Sequence, residues 1–246
     1  MATHHRILSF DVGIKNLSYV DVSLSIDTAT STTSPSRILA WNVIDLTRDS
    51  DDEHKKGGID RTSSALLRAL RDAIPDDAVY DYVLIENQPV IKNPTMKTIQ
   101  IILYTYFQTL KMLFGSVREV HLVSATLKLK AVIAAEQAVR DRRQVGGETA
   151  GTEKEGAASA SVAAVRFKPT YSERKAMAVR TCRETLTDIF TDDTVAAAKF
   201  EASKKKDDLA DTLLQALAFH RNVTSAASAS ASRRKKKDTP RINRDQ

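Results

Sequence analysis

Cysteine occurs once in the 246 residues, at Cys182. An intramolecular disulfide and a cysteine-rich zinc site are both excluded, and a reducing compartment suits the chain. Long apolar runs are also missing. The nearest candidate, Ile99 to Phe107, is broken by Gln100 and Thr105 and falls well short of the ~18 residues a membrane span needs. No membrane partner is expected. Only five residues precede the apolar run that opens at Arg6, so no secretion signal is expected and the chain reads as intracellular, cytoplasmic or nuclear. The five histidines show no paired spacing of the kind metal sites use. Nor does one charge sign dominate, with 37 Lys and Arg against 31 Asp and Glu. Arg233 to Gln246 alone holds seven basic residues and two acidic ones, so the rest is close to neutral. Net charge by itself does not make the fold a nucleic-acid binder.

What is present is organised. Arg6–Asp11, Leu17–Ile26 and Ile38–Leu46 read as three strands of a meander. Ile59, Leu66, Leu67, Leu70 and Ile74 have helical spacing, and Tyr82–Glu86 is a short apolar run suited to a strand buried on both faces. Asn93-Pro94 suits the start of a long helix that Gly115 can end. A fifth strand is expected over Val117–Ser124, then helices over Ala125–Arg142, Tyr171–Phe190 and Lys205–His220. This order predicts an α/β fold with a mixed five-stranded sheet flanked by helices. One domain should occupy residues 1–224, with a flexible Gly/Ala/Ser insertion near 145–164. A disordered Ala/Ser and basic tail should occupy 225–246.

Carboxylates stand where a reaction could use them. Asp11 ends the first strand just ahead of Gly13, Glu86 ends the central apolar strand, and Asp207, Asp208 and Asp211 open the last helix on one side. Each has an ordinary explanation as a turn residue or a helix cap, although Glu86 at the end of a buried strand would be desolvated without a partner. If the first and fourth strands are neighbours and the last helix crosses them, the acids converge. Each like-charge pair at about 5 Å then costs roughly 3 kcal/mol at an effective dielectric of 20. Such a cluster calls for cations. An all-oxygen donor set points to Mg²⁺, or Mn²⁺, and two ions per site could clamp a scissile phosphate.

The segments Ser9-Phe10-Asp11-Val12-Gly13-Ile14-Lys15-Asn16, Ile85-Glu86-Asn87-Gln88-Pro89 with Lys97, Tyr171-Ser172-Glu173-Arg174-Lys175, and Lys206-Asp207-Asp208-Leu209-Ala210-Asp211 follow one another along the chain. In these the sequence resembles the RuvC-like Holliday junction resolvases of the RNase H-like superfamily, most closely their poxvirus and large-DNA-virus branch. The resemblance implies a metal-dependent endonuclease that resolves four-way DNA junctions by paired symmetric incisions. Asp11, Glu86, Asp208 and Asp211 match the family's metal-binding, catalytic carboxylates, while Asp207 has no assured counterpart. The Gly-rich segment from Gly146 and the basic tail depart from the family's compact pattern.

Lys15, Asn16, Asn87, Gln88, Lys92 and Lys97 follow directly on the acids and should share their sheet edge, and Arg174 and Lys175 lie in a basic segment. These are the candidate contacts to branched DNA, chiefly to phosphates. A homodimer is expected on the long helix, whose core stripe is Ile99, Ile102, Leu103, Tyr106, Leu110 and Leu113 and whose other side carries Ile101, Tyr104 and Met112. The resemblance implies the same dimer. No small-molecule cofactor is expected. The alternatives are a less selective nuclease acting on flaps, bulges or RNA/DNA hybrids, and a junction-binding scaffold without chemistry. An actin-like ATPase also carries an Asp-x-Gly turn, but the chain has neither the length nor the second phosphate loop for one.

Overall fold

The structure, a computed structural model, describes residues 2–27, 36–47, 58–91, 93–127, 132 and 169–237. The elements are β1 (Ala2–Asp11), β2 (Leu17–Asp27), β3 (Arg37–Ile44), α1 (Ile59–Ala73), β4 (Tyr80–Glu86), α2 (Pro94–Phe114), β5 (Val117–Val123), α3 (Tyr171–Ile189), α4 (Thr194–Ala202) and α5 (Lys206–Lys237). The strands form one mixed sheet in the order β3-β2-β1-β4-β5. β1 to β3 are antiparallel, while β4 joins β1 and β5 joins β4 in parallel. This is the α/β architecture the sequence predicts, and among the described residues no helix is long and apolar enough to cross a membrane.

Strand alternation divides the core in two. Leu8, Phe10, Val83 and Ile85 point to α1 and α2, where Leu66, Leu70, Ile99, Leu103 and Phe107 are buried. Ile7, Tyr82 and Leu84 point to the other face, among Cys182, Leu186, Phe200, Leu209, Leu213 and Leu217 of α3, α4 and α5. Both faces of β4 are covered, which is why its sequence runs apolar from Tyr82 to Ile85. α5 is tied to the sheet by polar contacts as well. Gln215 donates to Ser9 Oγ (3.0 Å) and Phe10 O (3.1 Å), and Trp41 Nε1 donates to Leu209 O (3.1 Å).

Several details differ from the sequence reading. In α2, Leu113 is 69% exposed, whereas Phe107 is fully buried and completes the core stripe. Gly115 does end this helix, in the left-handed conformation at φ 65°, but Asn93 makes no side-chain cap. α4 is not among the helices placed from the sequence; Asp193 caps it by accepting from Ala196 N, and Phe200 stacks flat on Trp41 at 5.4 Å. The last helix continues to Lys237, past the Ala/Ser run where an irregular tail is expected. Ala is the strongest helix former, and no Gly or Pro interrupts the segment. Residues 238–246, most of the helix expected over Ala125–Arg142, and the 145–164 insertion lie outside the described residues.

At the N-terminal end of β1, His5 and His220 are buried edge to face, 5.1 Å apart, with Tyr82 against His5. Burial, and then repulsion from His5 and Arg221, pulls His220 down from 6.5 to about 4. The unfolded chain takes up this proton near 6.5, so the contribution is complete above that pH and is lost as pH falls toward 4. Such a shift corresponds to about 3 kcal/mol. The urea midpoint should therefore decline between these limits, and His220→Phe should flatten that part of the profile. An unchanged profile in the variant contradicts this account.

Candidate active site

β1 ends at Asp11 and β4 at Glu86, and the parallel register pairs Phe10 with Ile85, so the two acids stand one residue further along on adjacent strands. Alternation places Asp11 with Ile7 and Ser9, and Glu86 with Tyr82 and Leu84, all on the face covered by α5. The first turns of α5 lie over this same end, because Ser18, the partner of Asp11 across β2, donates to Asp208 O at 2.9 Å. Glu86 and Asp211 line one cavity of about 310 Å³, together with Thr126, Tyr171, Arg174 and Lys175.

The chain can leave β1 here because residue 13 has no side chain. A Cβ on Gly13 would stand 2.6 Å from Asn16 O and 2.9 Å from Asn16 C, both backbone atoms that cannot step aside. The glycine therefore serves close approach within the turn. Gly13→Ala should destabilise the fold by about 1–3 kcal/mol, read as a lower urea midpoint. A midpoint equal to wild type means that the turn is looser than described.

Asp207 and Asp208 are neighbours in different electrostatic states. Asp207 accepts from Lys175 Nζ at 2.5 Å. Burial pushes the Asp207 carboxyl up, but the ammonium outweighs it and holds the group below the usual range. Asp208 is raised, first by burial and then by the charge of Asp207, and its buried Oδ2 has no hydrogen-bond partner among the described residues. A desolvated carboxylate oxygen without a donor lacks a cation or a proton. That observation, with the all-oxygen donor set, fits a hard divalent ion bound by Asp11, Glu86, Asp208 and Asp211. Among the described residues no three His, Cys, Asp or Glu side chains form a cluster that could hold an ion.

The candidate DNA contacts divide. Lys15 is exposed beside the site, and the Asn16 amide accepts from Lys205 Nζ at 3.3 Å when oriented to satisfy both of its groups. Asn87 is exposed and accepts from Lys97 Nζ at 3.2 Å. Arg174 and Lys175 sit over the Tyr171 ring, at 5.9 and 5.0 Å from its centre. Gln88 does not face outward as expected. It is buried, and its amide donates to Glu86 Oε2 at 3.0 Å, because a buried carboxylate needs a donor. Lys92 lies outside the described residues. The sequence reading misses Gln100, which is 1% exposed on α2 and accepts from the backbone N–H of Gln88 at 2.7 Å. Its signal is a lone amide between Ile99 and Leu103 on the buried face of an apolar helix.

The chain is an α/β protein with a mixed sheet whose first and fourth strands end in carboxylates beneath a crossing helix. Residues 7–99 match the sequence profile of a family described as mitochondrial resolvase Ydc2 / RNA splicing MRS1. This match bears out the resemblance to the resolvases drawn from the motifs, and with it the reading of the chain as an enzyme, a nuclease. No curated protein sequence matches the chain. Among solved structures the chain is similar to the fowlpox virus resolvase in complex with its Holliday junction substrate, with a TM-score of 0.49, 16% identity, and coverage of 89% of this chain and 98% of that one. It is also similar to the yeast mitochondrial Holliday junction resolvase Ydc2, with a TM-score of 0.45, 18% identity, and coverage of 88% and 79%. For Thermus thermophilus RuvC the TM-score is 0.44 at 14% identity, with coverage of 91% and 98%.

Proposed function

We propose that the chain is a metal-dependent endonuclease that resolves four-way DNA junctions by paired symmetric incisions, acting as a homodimer. The observation that carries the chemistry is the shared end of the sheet: Asp11 and Glu86 on adjacent strands, one face, beneath the helix that starts with Asp208 and Asp211. Asp11, Glu86, Asp208 and Asp211 are the residues assigned to hold Mg²⁺ or Mn²⁺, two ions per site, and Asp207 is left to its ion pair with Lys175. When bound, the ions supply an activated water and charge stabilisation at the phosphate. The protein's own part is to position them. Lys15, Asn16, Asn87, Lys97 and Arg174 take the DNA backbone around the carboxylates, and Tyr171 offers an aromatic face beside Arg174 and Lys175.

A junction has near two-fold symmetry and needs two opposed cuts, which a symmetric dimer supplies with one site per subunit. Ile101, Met112, Leu113 and Phe114 leave one side and the end of α2 apolar and exposed, as such a contact requires. The rival reading, a less selective nuclease, differs in its substrates. Purified protein with Mg²⁺ should cut a synthetic mobile junction far faster than flaps, bulges or RNA/DNA hybrids of the same sequence. Equal rates across the set support the rival, and tight junction binding without any cut supports a scaffold.

A further inference from the structure

We infer that Gln88 and Gln100 are positioning residues for Glu86, forming a relay that runs from α2 into the candidate active site. The inference rests on the metal-site reading of Glu86 given above.

The relay begins where the sheet stops. Asn87 N–H still pairs with Val123 O at 2.7 Å, but one residue later the backbone has left the ladder. The orphan N–H of Gln88 is taken up by Gln100 Oε1 at 2.7 Å, an oxygen that also accepts from Lys97 Nζ at 3.1 Å. Both donors are obligate, so the Gln100 amide has one satisfactory orientation. The anchored turn then sends the Gln88 side chain back toward the sheet, where Nε2 donates to Glu86 Oε2 at 3.0 Å. A carboxylate only accepts, so this amide orientation is also determined.

Packing makes the arrangement stiff. Gln88, Gln100 and Glu86 are 9%, 1% and 8% exposed, and Gln100 lies between Ile99 and Leu103, both fully buried. An amide at such a position carries a desolvation cost that an apolar residue would avoid. One of its two hydrogen bonds reaches out of α2 to the strand terminus that carries Glu86, and the other comes from Lys97 one turn earlier in the same helix. Ligating carboxylates are held by hydrogen bonds of this kind, and losing one characteristically weakens metal binding or activity by about 10- to 100-fold. Glu86 is thereby presented to an ion in one rotamer.

The test uses the full chain and four variants: Gln88→Met and Gln100→Met, which keep length and lose the polar groups, Gln100→Glu, which keeps the accepting oxygen, and Glu86→Gln as reference. Mn²⁺ binding is measured by calorimetry, with thermal melting and junction affinity in EDTA alongside. Both Met variants should bind Mn²⁺ about tenfold more weakly or worse. Gln100→Glu should stay close to wild type, and junction affinity without metal should be unchanged for Gln88→Met. Wild-type Mn²⁺ affinity in the Met variants overturns the relay, as does Gln100→Glu failing as badly as Gln100→Met. If Gln100→Met does not fold, Gln88→Met at the edge of the core decides alone. If wild-type protein binds Mn²⁺ but cuts no junction, the nuclease reading falls while the Mn²⁺ comparison still decides the relay. If wild-type protein binds no Mn²⁺, the relay falls with it.

Discussion

Asp211→Asn should lower the rate of junction cleavage by about three orders of magnitude or more while leaving junction binding in EDTA within a few-fold of wild type. The substitution keeps side-chain volume and hydrogen-bonding capacity and removes one negative charge. Losing about 4 kcal/mol of transition-state charge stabilisation corresponds to a thousandfold in rate. Glu86→Gln and Asp11→Asn should behave alike, because each stands at the same end of the sheet. The contrast within the last helix is more discriminating. Asp208, with a buried oxygen that has no hydrogen-bond partner among the described residues, should be as sensitive as Asp211, whereas Asp207, held by Lys175, should lose far less as Asn. Single-turnover rates at saturating Mg²⁺ separate these cases. A near-normal rate for Asp11, Glu86 or Asp211 variants removes that residue from the site, and a larger loss at Asp207 than at Asp208 exchanges their roles.

The second large effect is expected at α2. Ile101→Lys combined with Tyr104→Asp should convert a dimer into monomers that retain helix content and lose paired incision. Ile101 is 53% exposed and Met112 81% exposed, so a charge placed there costs the single subunit little and a desolvated contact a great deal. Tyr104 is half-buried, with its hydroxyl accepting from Gln108 at 2.8 Å, and Asp at that position adds repulsion across a two-fold axis. Sedimentation velocity at micromolar concentration checks the state directly. Wild-type protein that sediments as a monomer, or a doubly substituted protein that remains dimeric, contradicts the placement of the interface.

The frame was legible because each element carries its own local signal. Alternation marked β1 and β2, an unbroken apolar run marked β4, and a helix-starting proline and a left-handed glycine bounded α2. The acids were legible for a related reason: a charged residue closing a buried strand, as at Glu86, conflicts with its surroundings unless something compensates it. What could not be read depends on partners distant in sequence. Nothing near Gln88 reveals that its backbone will need Gln100, and nothing near Asp207 reveals that Lys175, on another helix, will neutralise it. Phe107 and Leu113 both fit a helical stripe, and only the position of the sheet decides which is buried. The Ala/Ser run before the basic tail has low complexity in any reading, yet its high helix propensity lets α5 continue through it.

The most direct measurement of the central claim is cleavage of a supercoiled plasmid that extrudes a single cruciform, with Mg²⁺ and with EDTA. Two opposed cuts made within one encounter convert the plasmid to linear DNA, whereas a single cut relaxes it to a nicked circle and the cruciform is reabsorbed. The account predicts linear product from wild-type protein with Mg²⁺, none with EDTA, nicked circles from the monomeric α2 variant, and intact plasmid from Asp211→Asn. Nicked circles as the main product of the wild-type protein, or linear product persisting in EDTA, would contradict it.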